Sequence, residues 1–134
     1  MKWYFASRTR HREFVESLIR TLKINGHEVV FDWTLLKLRL PFQNYPENYQ
    51  FADALSLAIP LADVFVLLSD PAGTDMFIEL GIALANFIDH KKPRIYIVGK
   101  HNKRSLMHLH SGIIHVDTLQ EVFKKECPEV VFQQ

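Results

Sequence analysis

The chain has 134 residues, a formal net charge of +1 and 48% hydrophobic residues. We expect one domain over residues 1–134, because this composition supports a buried core and favours neither a nucleic acid polymer nor a membrane surface as partner. The single cysteine excludes an internal disulfide, no apolar run approaches the ~18 residues of a membrane span, and no signal peptide is evident, so a soluble cytoplasmic protein is expected.

The first part of the chain predicts two strands separated by a helix. The strand at 3–6 is short and aromatic, a polar turn follows at 7–10, and apolar residues recur at helical spacing over 11–24. An Asn-Gly pair is the stop signal of that helix. The next apolar run predicts a buried strand over 27–32.

The loop predicted at 33–48 is the least regular stretch, with two prolines and three aromatic residues. It follows the second strand and therefore lies at the sheet edge where ligands bind in open α/β folds. Long loops usually have a function, which favours a partial lid. The alternative is that its aromatic side chains cover the edge of the core or form a dimer contact.

The second part alternates helices with strands. The predicted elements are a helix at 49–61, a strand at 64–68, a helix from 76 onward, strands at 94–99 and 113–116, and a helix at 118–126. Such alternation produces right-handed crossovers and a parallel sheet. We therefore predict an α/β fold of three layers, flavodoxin-like or Rossmann-like, with five parallel strands in the order 2-1-3-4-5.

Two common nucleotide-binding motifs are absent from the chain. No Gly-x-Gly-x-x-Gly follows the first strand and no Gly-x-x-x-x-Gly-Lys-[Ser/Thr] occurs, which argues against a dinucleotide-binding Rossmann enzyme and a P-loop NTPase. A response-regulator receiver domain shares the predicted topology. It needs an acidic pair after the first strand, where this chain has Ala6, Ser7 and Arg8.

Three carboxylates follow the third strand. Asp70 and Asp75 lie in the loop, and Glu79 comes one helical turn after Asp75. Such a group could cleave a glycosidic bond, with one carboxylate as nucleophile and another near the leaving group. The dipole at the helix start favours the ionised form of Glu79, which suits a nucleophile. The alternative is that the aspartates cap the helix and Glu79 is solvated.

The polar turn after the first strand is a candidate phosphate site. Ser7, Arg8 and Arg10 lie just before a helix, where backbone amides, a hydroxyl group and guanidinium groups can bind an anion. The alternative is an ordinary helix cap with two solvated arginines.

Two further groups are interpreted as structural. Asp63 precedes the third strand, at the edge opposite the candidate site, and is expected to be a strand-entry residue or a partner of a backbone amide. His101, His108 and His110 lack companion ligands at metal-site spacing. We therefore predict that they lie in a solvent-facing loop and that the chain has no metal site.

Three segments of the chain match motifs of one enzyme family. They are Tyr-Phe-Ala-Ser-Arg at 4–8, Ala-Asp-Val at 62–64, and Gly-Thr at 73–74 followed by Glu-Leu-Gly-Ile-Ala at 79–83. In this order they resemble the nucleoside 2-deoxyribosyltransferase superfamily, which includes deoxynucleoside 5'-monophosphate N-glycosidases. The resemblance extends from residue 2 to about residue 99, and its last segment is the most specific.

The resemblance implies roles for the candidate catalytic residues. Glu79 matches the family's nucleophile, which attacks C1' of the sugar, and Tyr4 matches the tyrosine that orients that carboxylate. Asp63 matches an active-site aspartate of the family, in conflict with the structural role inferred from its position. Asp70 or Asp75 could contact the leaving base.

The resemblance also implies a binding site and a mode of assembly. Ser7, Arg8 and Arg10 match the positions that hold a 5'-phosphate, and Gly73 and Thr74 match the family's substrate loop. Family members are usually homo-oligomers, so a homodimer is expected. The family needs neither a metal nor a cofactor.

The predicted function is cleavage of the N-glycosidic bond of a nucleoside 5'-monophosphate or a (deoxy)nucleoside. Glu79 would be the nucleophile, and water or a second nucleobase would be the acceptor. The partner is then a small-molecule nucleoside or nucleotide. Two alternatives stay open: a non-catalytic nucleotide-binding or signalling module, and a TIR-like domain that cleaves NAD.

Overall fold

The computed structural model describes residues 1–132. Its centre is a parallel sheet in the order β2-β1-β3-β4-β5. The strands are β1 (Lys2–Ala6), β2 (Glu28–Val29), β3 (Val64–Leu68), β4 (Arg94–Val98) and β5 (Ile113–Val116). This arrangement confirms the predicted fold class and strand order.

Within the described residues, helices cover both faces of the sheet. They are α1 (Arg12–Ile24), α2 (Pro46–Ala58), α3 (Asp75–His90) and α4 (Leu119–Glu126). Successive side chains of β1 point to opposite faces. Trp3 packs against Phe123 of α4 with ring centroids 5.8 Å apart, whereas Tyr4 hydrogen-bonds Glu79 of α3. Helices α3 and α4 therefore lie on opposite faces, as three layers require.

None of the helices in residues 1–132 is both long and apolar enough to cross a membrane.

The second strand is shorter than the sequence predicted. The prediction covered 27–32, but the chain pairs with β1 only over Glu28–Val29, with one further bond from the Val30 amide to the Trp3 carbonyl. This strand is at the sheet edge, and its apolar residues are half-buried rather than buried. Asp32 then turns the chain away, because its carboxylate accepts from the Thr34 amide at 3.0 Å.

Helix α2 begins earlier than predicted. It starts at Pro46, whose fixed φ and missing amide hydrogen suit the first position of a helix. The irregular segment is therefore 33–45 and not 33–48, and it contains short 3-10 turns at Trp33–Leu35 and Phe42–Asn44. Phe51 and Leu55, which lie four positions apart on one face of α2, are half-buried.

Candidate active site

A cleft of about 650 Å³ opens at the carboxyl edge of β1 and β3. Its walls are the loop after β1, the start of α3, and α2 with the segment 33–45. The lining residues are Ser7, Arg8, Thr9, Trp33, Leu36, Leu38, Phe42, Asn48, Phe51, Ala52, Leu55, Ser56, Gly73, Thr74, Asp75, Met76, Ile78, Glu79 and Ile82. A smaller cavity of about 340 Å³ between α1 and α4 contains none of the predicted site residues.

The base of the cleft holds a tyrosine–glutamate pair. Tyr4 has no exposed surface, and its hydroxyl donates to Oε1 of Glu79. The alternation of β1 directs Tyr4 toward α3, and Glu79 lies one turn into that helix on the side facing the sheet. The fold therefore brings together two predicted catalytic residues that are 75 positions apart.

The surroundings of Glu79 favour its protonated form. Burial raises the pKa of Glu79 from 4.5 to about 7, the hydrogen bond from Tyr4 opposes this shift, and the charge of Asp75 adds to it. Burial, followed by the charge of Glu79, also raises the pKa of Tyr4 well above 10. The dipole at the start of α3 favours the ionised form of Glu79, whereas burial acts in the opposite direction and raises the pKa.

This pair has the chemistry of a tunable nucleophile. Near neutral pH a carboxyl group with a pKa of about 7 is divided between its charged and neutral forms. The Tyr4 hydroxyl stays protonated and can donate to the charged form. A half-buried carboxylate held at one oxygen leaves its second oxygen free to attack an electrophilic carbon or to move a proton.

The rim of the cleft carries the predicted substrate loop. Asp75 is the first residue of α3 and is exposed. Gly73 has φ +136°, a backbone conformation that residues with a side chain rarely adopt, so this position favours glycine. Thr74 precedes the helix without capping it through its side chain. Its hydroxyl, the Gly73 backbone and the Asp75 carboxylate are therefore available to a ligand.

The residues of the loop after β1 that were predicted to bind phosphate lie in two different environments. Ser7 and Arg8 line the cleft. Arg10 does not line it, and its Nη2 donates to Oδ2 of Asp70 at 2.5 Å. His11 lies 3.1 Å from the same oxygen through Nε2. The structure thus places Arg10 behind Arg8 rather than beside it in the cleft.

Asp70 is buried and lies outside the cleft wall. Burial alone would raise the pKa of this carboxyl group, but hydrogen bonds from the Ala72 amide, His11 and Arg10 outweigh it and hold the pKa well below its usual range. Its oxygens are already occupied by these donors. The structure therefore does not bring Asp70 to the position of a leaving-base contact, which leaves Asp75 as the candidate.

Asp63 lies at the opposite edge of the sheet. Its Oδ2 accepts from the Lys2 amide at 2.8 Å and its Oδ1 pairs with Lys92 Nζ at 3.1 Å. The hydrogen bond from Lys2 is the main cause that lowers the pKa of this carboxyl group. The structure thus separates Asp63 from Glu79, and its contacts are those of the strand-entry residue expected from its position.

The sequence predicted that the loop at 33–48 lies at this edge of the sheet, but it did not predict that α2 also lines the cleft. Phe42, Phe51 and Leu55 line the cleft and give it an apolar side. The spacing of Phe51 and Leu55 marks one face of a helix but does not distinguish the core from a cavity. The segment is held to α1 by Arg12, which donates to the carbonyls of Thr34 and Leu36.

The prediction that the histidines lie in a solvent-facing loop is wrong for His108. His108 is 1% exposed and packs against Phe77 of α3 with ring centroids 5.7 Å apart. A 3-10 turn at Leu106–Leu109 tucks it inward. Among the residues that the structure describes, no group of three His, Cys, Asp or Glu side chains could hold a metal ion.

A known structure contains this fold. No protein-family model matches the sequence, and no curated protein does. The structure resembles that of the Clostridium botulinum CMP N-glycosidase BcmB, with a TM-score of 0.60 and 20% identity over 93% of this chain and 96% of that chain. This chain has the same fold. The resemblance seen in the sequence is thereby confirmed at the level of the fold.

Proposed function

We propose that this protein is a member of the nucleoside 2-deoxyribosyltransferase superfamily, which its sequence resembles, and cleaves the N-glycosidic bond of a nucleoside 5'-monophosphate or a (deoxy)nucleoside. The observation that carries the proposal is the buried Tyr4–Glu79 pair at the base of the cleft. Two further facts support it: the structural similarity to an enzyme named as a CMP N-glycosidase, and a cleft size within the range of small-molecule sites.

The proposed reaction has two steps. The free oxygen of the Glu79 carboxylate attacks C1' of the sugar, the C1'–N bond breaks, and its electron pair leaves with the base. The base takes up one proton as it departs. Water then attacks the glycosyl ester and regenerates the carboxylate, and a second base in place of water gives transfer instead of hydrolysis. Tyr4 orients Glu79 and donates to its charged form.

The remaining roles follow from position in the cleft. Asp75 at the rim is the carboxyl group assigned to the leaving base, since Asp70 is occupied by other donors. Ser7 and Arg8 are assigned to a 5'-phosphate, because both line the cleft and together supply a hydroxyl and a guanidinium group. The apolar wall of Phe42 and Phe51 provides a surface for the flat face of a base.

The deciding experiment measures base release. Nucleosides, 5'-monophosphates and NAD are incubated with the parent protein and with Glu79→Ala, and free bases are separated by chromatography. Release by the parent and not by the variant supports the proposal. Release of nicotinamide from NAD alone would favour a TIR-like activity. Binding without release, by a folded protein, would favour a nucleotide-binding module and contradict catalysis.

We also propose a homodimer, as is usual in the superfamily. Ile78 at the edge of the cleft and Gly81, Ala85 and Ile88 further along α3 form a stripe at helical spacing that the described residues leave exposed. Ile78 and Ile88 are 66% and 57% exposed. Sedimentation velocity of the parent and of Ile88→Lys tests this proposal. A parent that sediments as a monomer at all concentrations contradicts it, and a dimer unaffected by Ile88→Lys contradicts the choice of surface.

A further inference from the structure

Asp70 joins two loops that are about 60 residues apart in the sequence. Its Oδ2 accepts from Arg10 at 2.5 Å and lies 3.1 Å from His11 Nε2, while its Oδ1 accepts from the Ala72 amide at 3.0 Å and lies 3.5 Å from Arg8 Nη1. The carboxylate is almost completely buried. The loop after β1 and the loop after β3 are therefore fixed to each other by one side chain.

The two arginines keep most of their donors. A guanidinium group has five N–H donors, and the contact with Asp70 uses one from each side chain. The Arg8 and Arg10 side chains remain 40% and 56% exposed. Two guanidinium groups against one carboxylate leave a formal charge of +1, so an anion is still attracted to the cluster. Because Arg8 lines the cleft, part of this positive charge lies at the cleft wall.

We propose that Asp70 is a positioning residue that holds Arg8, through the shared cluster with Arg10, in the orientation that binds the phosphate of a nucleotide. The inference rests on the proposed function, because it explains how that site would distinguish a 5'-monophosphate from a nucleoside. The carboxylate fixes one side of the arginine pair, and the phosphate binds the side that faces the cleft. Substrate selection thus depends on a residue that the substrate does not touch.

The competing explanation is that Asp70 blocks the site. In that case its charge occupies the arginines until a phosphate displaces it. The burial of Asp70 and its bond to the Ala72 amide argue against displacement, since both hold the carboxylate in place without any arginine. The two explanations predict opposite effects of Asp70→Asn on phosphate affinity.

The experiment measures binding and does not require turnover. Cytidine 5'-monophosphate, cytidine and inorganic phosphate are titrated by calorimetry into the parent, Asp70→Asn and the control Glu126→Gln. Glu126 is also a buried carboxylate paired with an arginine, Arg94, but it lies at the amino end of β4, away from the cleft. A general loss of stability should weaken binding in both variants alike, whereas loss of arginine positioning should weaken phosphate binding only in Asp70→Asn.

We expect Asp70→Asn to weaken the affinity for the monophosphate at least about 10-fold and to change the affinity for cytidine by no more than about twofold. Glu126→Gln should change neither. In a double-mutant cycle, Arg8→Gln should remove most of the effect of Asp70→Asn, because both act on one contact.

Several outcomes overturn the inference. Unchanged monophosphate binding by a folded Asp70→Asn does so, as does equal weakening of cytidine and the monophosphate, or tighter phosphate binding. If Asp70→Asn does not fold, Arg10→Gln replaces it, and unchanged monophosphate affinity in that variant is the contradicting result. A parent that binds no phosphate but releases base from nucleosides refutes the role of Asp70 and keeps the proposed function. A parent that binds the monophosphate and releases no base contradicts the proposed function and leaves the role of Asp70 in phosphate binding intact.

Discussion

Two carboxylates on the same crossover, nine residues apart, have opposite environments. Asp70 is buried among two arginines, a histidine and a backbone amide, and these donors hold its pKa below the usual range. Glu79 is half-buried against Tyr4, and its pKa rises to about 7. Burial acts in the same direction on both groups, so the difference comes from the hydrogen-bond donors and the neighbouring charges, Arg10 beside Asp70 and Asp75 beside Glu79.

The comparison separates a structural charge from a reactive one. A carboxylate with all its lone pairs occupied stabilises the fold but has little left for a substrate. A carboxylate that burial has deprived of water and that receives one hydrogen bond is less stable when charged and more available to react. The four predictions below test this contrast between Asp70 and Glu79.

The largest expected effect is loss of turnover in Glu79→Gln. The amide keeps the shape of the side chain but cannot form the glycosyl ester, so kcat for base release should fall at least about 10³-fold, or about 4 kcal/mol. Asp89→Asn, on the exposed far end of α3, is the matched control and should keep full activity. A Glu79→Gln variant within tenfold of the parent would remove Glu79 from the role of nucleophile.

The second prediction concerns the stability of Asp70→Asn. Loss of the charged partner of Arg10 and His11 should lower the free energy of unfolding by about 2 kcal/mol at neutral pH. Because the pKa of Asp70 is depressed, this contribution is complete above pH 3.8 and is lost as the pH falls further. Urea unfolding at pH 7 and pH 3 measures the difference. An equal deficit at both pH values would show that charge is not the cause.

The third prediction is that Glu79→Gln is more stable than the parent under alkaline conditions. The folded pKa of Glu79 is raised, so its contribution to stability is complete below pH 4.5 and is lost as the pH rises through about 7. The glutamine amide does not ionise and so avoids this loss, and we expect its free energy of unfolding to exceed that of the parent by about 1–2 kcal/mol at pH 8. Denaturant titrations at pH 8 and pH 4 test it. A variant less stable than the parent at pH 8 would contradict the assigned environment.

The smallest effect is a shift in the pH dependence of turnover. Activity that needs ionised Glu79 should rise through a midpoint near pH 7. Tyr4→Phe removes the hydrogen bond that lowers this pKa, so the midpoint should move upward by roughly half a unit to one unit. Profiles of kcat/KM against pH for both proteins give the comparison, and a downward shift in Tyr4→Phe would show that the hydroxyl acts differently.

Much of the fold could be predicted because buried parallel strands are apolar runs and the helices between them are periodic. The errors lie where local pattern and tertiary position disagree. The run after residue 27 has the composition of a buried strand, but it is at the sheet edge and ends after two residues. Pro46 was interpreted as part of a loop, although proline is also a favoured first residue of a helix.

The candidate site could be predicted only in part. The motif around Glu79 and its match to a known family indicated Glu79 and Tyr4, and the structure brings these two together. The partners of Asp70 could not be predicted, because they depend on how two distant loops meet. The pKa of Glu79 follows from burial, which depends on the whole packed domain and not on the neighbouring sequence.

Because side chains alternate between the two faces of β1, the protein should be sensitive to insertions and deletions in this strand. Trp3 and Phe5 stack on one face with ring centroids 5.9 Å apart, and Tyr4 points to the other. Deleting one residue within this strand would exchange the two faces, placing an indole beside Glu79 and a phenol against α4. Single-residue insertions and deletions in β1 should therefore abolish function.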